Sequence, residues 1–315
     1  MTWLHRVARS QRRLEIVTLA FEDDLELCAL QLSSIGQLFD LRRVPKVTVI
    51  FNGQDNAALR CEFASLLGNR IPKSLHKKLV FLDADTLCQK PLGWRGQQAL
   101  KLMIAKRVKT RLYLVLDAKN HFIQRCGPEI FFSERNRPKT WLEPPSEAMR
   151  KLLLSSLDYF GMQSDGAIAN AMPTITPYLF YRKKVIGLVD EVERRESISF
   201  EDAFLTRMKG VSEFWLYYAW LLYSERRPRR LYDHAPKICQ TLFATWPTDH
   251  AVANRMIDDL DRFSMFGLHR LRLSQLTTKQ RSAILDRWRR SGLPIPEALT
   301  GKLMDAAPES SACKI

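Results

Sequence analysis

A chain of 315 residues, 46% hydrophobic and 26% charged, has the length and apolar content to bury a sizeable core in one large or two small domains. A formal charge of +15 and a pI near 9.7 imply attraction to something anionic, whether nucleic acid, a phospholipid surface or a phosphorylated small molecule. The six cysteines, Cys28, Cys61, Cys88, Cys126, Cys239 and Cys313, form no CxxC pair and no Cys/His spacing of a structural zinc site, and read as reduced thiols of a cytoplasmic protein.

Residues 1–13 form a basic leader without the apolar stretch of a secretory signal; a transit peptide, a membrane-surface helix and a solvated segment remain as readings. Glu15 to Phe21 is a strand, and Asp23 to Phe39 spaces Leu25, Leu27, Cys28, Leu30, Leu32 and Ile35 as a helix does. Arg42 to Pro45 turns the chain into a second strand, Lys46 to Phe51, closed by Asn52-Gly53. A helix from Asn56 stops at Gly68, and a third strand spans Lys78 to Leu87. Pro91 and Gly93 then break the chain before a helix from Trp94 to about Val108. In the stretch Arg111 to Gln124 the apolar run Leu112 to Leu116 reads as an interior parallel strand, and Asp117, Lys119, Asn120 and His121 fall where it leaves the sheet. In open α/β sheets ligands bind outside the carboxyl ends of the strands. Strands alternating with helices at this spacing predict βαβ units and a mostly parallel sheet flanked by helices.

Beyond Arg125 the periodicity weakens and Pro128, Pro138, Pro144 and Pro145 punctuate a loop-rich region around a helix, Ser146 to Phe160. Pro173 to Tyr181 reads as a turn and strand, followed by helices over Lys183 to Glu196, Phe200 to Met208 and Ser212 to Ser224. The last contains the longest uncharged stretch, Phe214 to Ser224, far short of the ~20 apolar residues that cross a bilayer. After the charged break Glu225 to Arg230, a short strand over Phe263 to Leu268 ends at His269-Arg270. Thr277 to Ser291 is a basic amphipathic helix, and residues 305–315 form a disordered tail. The phosphate-binding GxxxxGK[ST] and GxGxxG loops and the GxSxG elbow are absent.

The order of elements, with Gly93, Trp94, Gln97, Gln98, Lys101 and Leu102 on one helix, Asp117 to Lys119 after the next strand, then Thr176-Pro177-Tyr178 and Ser212, Glu213, Phe214 and Tyr217, resembles the GT-A class of nucleotide-sugar glycosyltransferases. It is most similar to a little-characterised bacterial group of that class, known mainly as a domain of unknown function. The resemblance spans about residues 14–275. It implies a GT-A-like, Rossmann-like α/β fold with a helical C-terminal part, and divides the chain into leader 1–13, catalytic domain 14–275, basic helical region 276–304 and tail 305–315.

The resemblance also implies roles. Thr18 and Phe21 to Asp23 flank the base and ribose of a nucleoside-diphosphate sugar; Gln97, Gln98, Lys101, Asp117, Lys119 and Asn120 contact the donor; His269 and Arg270 lie near its phosphates; Thr176, Tyr178 and Tyr217 face the acceptor. Glu213 is the expected catalytic carboxylate beside Asp117, taking the acceptor proton, with Asp165, Glu201 and Asp202 in reserve. The bland alternatives are a first-turn glutamate favoured by the helix dipole, a solvated face for Gln97 and Lys101, and a surface pair at His269-Arg270.

The departure is Lys119, which stands where GT-A enzymes carry the last Asp of Asp-x-Asp, the residue that holds Mg²⁺ or Mn²⁺ against the pyrophosphate. Three readings follow: an ammonium that replaces the metal, a fold that binds without catalysing, or a metal site moved to Asp83-Ala84-Asp85. The expected enzyme moves a sugar onto a glycan or lipid-linked acceptor in bacterial polysaccharide or lipopolysaccharide synthesis. It is cytoplasmic, with peripheral contact to the inner membrane through Arg226 to Arg230 and through Arg281 to Arg290 with Trp288. A basic nucleic-acid-binding protein is the alternative from another class, and no nucleic-acid motif supports it.

Overall fold

The structure, a computed structural model, describes residues 12–89, 93–162, 165–226 and 228–304. The expected leader up to residue 11, the break at Pro91, Arg227 in the charged segment, and the tail 305–315 lie outside the described residues.

In chain order the main elements are β1 (Leu14–Ala20), α1 (Leu25–Leu38), β2 (Val47–Phe51), α2 (Asn56–Leu67), β3 (Leu79–Asp83), α3 (Gly93–Met103), β4 (Leu112–Asp117), β5 (Asn120–Phe122), β6 (Lys139–Thr140), α4 (Glu147–Tyr159), β7 (Tyr178–Tyr181), α5 (Arg182–Glu196), α6 (Glu213–Ser224), β8 (Asp233–His234), β9 (Cys239–Leu242), α7 (His250–Asp258), β10 (Met265–Leu268), α8 (Thr278–Arg290) and α9 (Glu297–Met304). The fold is α/β. Its five-stranded sheet has the order β3-β2-β1-β4-β7, with β1 to β4 parallel.

The apolar runs of β1, β2 and β4 are buried on both faces, as interior parallel strands require. On one face Ile16, Val49 and Leu114 pack with α1; on the other Val17, Ile50, Tyr113 and Val115 pack with residues of α3, α4, α5 and α6. Local signals start the helices where the sequence predicts. Asp55 accepts from the amides of Ala57 and Ala58 to open α2, Ser212 Oγ accepts from Trp215 to open α6, and Thr277 with Gln280 forms a capping box on α8.

Four features depart from the sequence reading. β7 runs antiparallel to β4, so the apolar run Leu112 to Leu116 lies between one parallel and one antiparallel neighbour. The stretch Arg111 to Gln124 is two strands: the chain leaves the large sheet at Asp117 and re-enters at Asn120 as β5 of a second sheet, β5-β10-β9. β9 and α7 have no counterpart in the reading, because a four-residue strand and a nine-residue helix carry too little periodicity. The basic helix α8, expected to face anionic lipid, turns Trp288 fully inward, where its Nε1 donates to His121 Nε2 at 2.6 Å. Its apolar face belongs to the same core as α1 and β10. Among the described residues no helix is long and apolar enough to cross a membrane.

Candidate functional site

The strand order places β2 and β4 on opposite sides of β1, the reversal at which open α/β sheets form a crevice. A cleft of about 420 Å³ lies there, lined by Leu19 at the end of β1 with Phe21 and Asp24 beyond it, by Trp94, Gln97, Gln98 and Lys101 of α3, by Asp117 at the end of β4 with Ala118 and Lys119 beyond it, and by His269 to Leu271 after β10. Register explains the last group. β5 pairs with β10, Asn120 opposite Gly267, so the chain on either side of the step from β4 to β5 brings Lys119 beside the segment that carries His269 and Arg270. The Leu268 amide donates to the Lys119 carbonyl at 3.0 Å.

Asp117 is the hub. Its Oδ1 lies 2.9 Å from Lys101 Nζ, its Oδ2 accepts from Lys119 Nζ, and Thr176 Oγ1 lies 2.9 Å from the same oxygen. Asn120 Oδ1 accepts from the Asp117 amide at 3.0 Å, and Gln31 donates to the carbonyls of Asp117 and Asn120 at 2.6 and 2.7 Å. Lys101 Nζ also meets Glu213 Oε1 at 3.1 Å and lies 5.0 Å above the Phe214 ring. Arg95, hydrogen-bonded to the carbonyls of Phe204, Met208 and Val211, ties α3 to the segment that leads into Glu213.

Charge follows from this geometry. Burial pushes the Asp117 carboxyl up, but the ammoniums of Lys101 and Lys119 more than reverse that and hold it below the usual carboxylate range. Glu213, with Lys101 as its cationic partner, is raised by burial. Burial likewise raises Asp24, against the pull of Arg270, whose Nη1 lies 3.2 Å from Asp24 Oδ1. Half-buried His269 is lowered by desolvation and by neighbouring Lys119 and Arg270, and its Nδ1 accepts from the Leu271 amide at 3.2 Å.

Of the residues expected from the sequence, Gln97, Gln98, Lys101, Asp117, Lys119, His269 and Arg270 line one cleft. Others do not. Glu213 is buried behind Lys101, and Asn120 is buried beneath Asp117, where its side chain braces Thr176 at 2.6 Å. Thr176 itself is a brace rather than a wall. Tyr178 and Tyr217 lie in the aromatic core, Tyr217 hydrogen-bonded to the Tyr181 amide and to the Tyr232 hydroxyl. Thr18 is fully buried; strand alternation sends it to the side of Ile16 and Ala20, away from the face that Leu19 presents to the cleft. Asp23 is exposed and reaches Arg270 Nε at 3.4 Å. Asp24, one residue further on, is the carboxylate that lines the cleft. The run Glu22-Asp23-Asp24 carries no sequence signal for which of its members turns inward.

The donor set does not fit a divalent cation. Both oxygens of Asp117 face ammonium groups, Asp83 pairs with Arg60 at 2.9 Å at the end of edge strand β3, and Asp85 is exposed. Among the described residues no group of three or more His, Cys, Asp or Glu side chains is arranged to hold a metal.

Comparison with known proteins gives distant likenesses among solved structures. Mouse xyloside xylosyltransferase 1 in its apo form is 11% identical, with a TM-score of 0.44 over 81% of this chain and 97% of that one. The apo WbbM bifunctional glycosyltransferase is 11% identical with a TM-score of 0.49; 93% of this chain is covered, and it spans about half (52%) of the WbbM chain. No curated protein sequence matches. A family model matches residues 14–252, and the chain therefore belongs to DUF6492, a family of unknown function.

Proposed function

We propose that the chain is a glycosyltransferase of GT-A type that binds a nucleoside-diphosphate sugar in this cleft and passes the sugar to a glycan or lipid-linked acceptor, in the synthesis of a bacterial surface polysaccharide or lipopolysaccharide. The observation that carries the reading is the convergence of Lys101, Lys119 and Arg270 at the crevice beyond β1 and β4, with Asp117 fixed between two of them. The order of sequence motifs along the chain supports the same class.

In this reading Lys119 is the charge that meets the diphosphate. Lys101 is held by Asp117 and Glu213, which leaves it a positioning cation, whereas Lys119 has one carboxylate partner and a three-donor head that turns toward a phosphate oxygen. Arg270 adds a second cation from β10, and fixed positive charge of this kind stabilises the diphosphate as it leaves. No metal is required. The acceptor hydroxyl gives its proton to a carboxylate. Asp24 lines the cleft and Glu213 does not, so Asp24→Asn and Glu213→Gln identify the base: the variant that keeps donor binding and loses transfer carries it.

Nucleoside diphosphates raise Tm by mass action, by about 2.7 kcal/mol of added stability at a hundred times Kd. The expected shift survives EDTA and is lost in Lys119→Ala. A shift that appears only with Mn²⁺ or Mg²⁺ restores the metal reading. No shift with any nucleotide, together with salt-dependent binding of oligonucleotides, favours the nucleic-acid alternative. A non-catalytic binding protein is the second reading, favoured by the burial of Glu213 behind Lys101; donor binding without hydrolysis or transfer over a donor panel supports it.

A further inference from the structure

Two features of α3 are left over once the ion pairs are assigned. Gln98 is 1% exposed, yet neither its Oε1 nor its Nε2 has a partner among the described residues, although it lines the cleft. Buried amides are almost always paired, so both edges of this one are free for something that enters. Trp94, in the first turn of the same helix, is 63% exposed and lines the same cleft, where so large an apolar side chain is normally covered. Positions 94, 98 and 101 follow the i, i+4, i+7 pattern of one helix face. A rise of 1.5 Å per residue spreads Trp94 and Lys101 about 10 Å along the axis, the length scale of an extended nucleoside diphosphate.

We propose that this face of α3 is the base-recognition subsite of the cleft: Trp94 stacks on the nucleobase of the donor, and the Gln98 carboxamide reads its polar edge while the diphosphate lies toward Lys101 and Lys119. The assignment rests on the reading of the cleft as a nucleoside-diphosphate site. It moves base recognition from the end of β1, where the family resemblance puts it, to α3. A carboxamide presents one donor face and one acceptor face, and so pairs with a base edge that offers the complement. Stacking tolerates every base; the amide pair is what discriminates.

Calorimetric titration of the full chain with UDP, ADP, GDP and inorganic pyrophosphate tests this. Trp94→Ala weakens all three nucleotides alike, roughly tenfold, and leaves pyrophosphate unchanged. Trp94→Phe keeps most of the affinity but abolishes the nucleotide-induced change in tryptophan fluorescence. Gln98→Leu, close in volume and without polar edges, narrows the differences among the three bases; should it not fold, the exposed Trp94 carries the test alone. Native nucleotide affinity and base preference in both Trp94→Ala and Gln98→Leu overturn the subsite and leave the proposed function intact. A native chain that binds pyrophosphate as tightly as any nucleotide also overturns it. A native chain that binds neither nucleotides nor pyrophosphate overturns the proposed function, and the subsite with it.

Discussion

At Asp117, charge and pH are linked in a direction that can be worked out. Its folded pKa lies below the ordinary value of 3.8, so the pairs with Lys101 and Lys119 contribute stability that is present above that value and lost as the pH falls through and below it. Glu213 runs the other way. Its folded pKa lies above 4.5, so the native state resists its ionisation, and stability is lost as the pH rises from 4.5 toward the folded value. Thermal melts between about pH 3 and 7 are expected to show a smaller acid loss of Tm in Asp117→Asn than in the native chain, and the removal of an opposing slope in Glu213→Gln. Identical profiles in all three proteins contradict the ion-pair assignment. Lys101→Met leaves buried Glu213 without its cation and half-buried Asp117 with Lys119 alone, and is expected to cost about 3–5 kcal/mol in urea denaturation. A loss under about 1 kcal/mol says instead that the carboxylates relax into water.

At the scale of elements, α8 packs against the small sheet through apolar contacts and several hydrogen bonds, Arg287 and Ser291 both donating to the Ile123 carbonyl and Trp288 to His121 of β5. Burial lowers the His121 pKa to about 3, so the ring is neutral at pH 7 and its Nε2 accepts from Trp288. Trp288→Phe retains most of the volume but strands that acceptor, an expected loss of about 1–3 kcal/mol. Trp288→Ala opens a cavity as well, and about 3–5 kcal/mol is expected. Denaturant midpoints check both, and an unchanged midpoint in Trp288→Phe excludes the hydrogen-bond account. Because the native pKa is depressed, the contribution of His121 is present above pH 6.5 and fades as the pH drops from there toward 3. The effect reaches the site by a short path: β5 begins one residue after Lys119.

Across the whole molecule the +15 charge acts on encounter rather than on fold. With three cations lining the cleft, the association rate of a nucleoside diphosphate is expected to fall steeply as NaCl is raised, while dissociation changes less. Stopped-flow traces at several ionic strengths read this directly; a salt-independent association rate removes electrostatic steering. The basic tract of α8 is less free than its composition suggests, since Arg287 is buried with Asp261 at 3.0 Å and Trp288 is internal. A lipid contact by that helix falls to Arg289, Arg290 and Lys279 and lacks an aromatic anchor.

The family resemblance is what grouped Gln98, Lys101 and Arg270 with Asp117 and Lys119; by itself the sequence determined the strand and helix alternation, the parallel run of four strands, and the polar end of the fourth strand at Asp117 to Asn120. These follow from period and order, which are local properties written in the spacing of apolar residues. The tertiary structure alone decided that β7 is antiparallel, that Asp24 rather than Asp23 lines the cleft, that Glu213 lies behind Lys101, and that Tyr178, Tyr217 and Trp288 fill the core. Each of those depends on which face of a short element meets a segment distant in the chain. That choice is made by packing and ion pairing between elements, and residue spacing within one element carries no record of it.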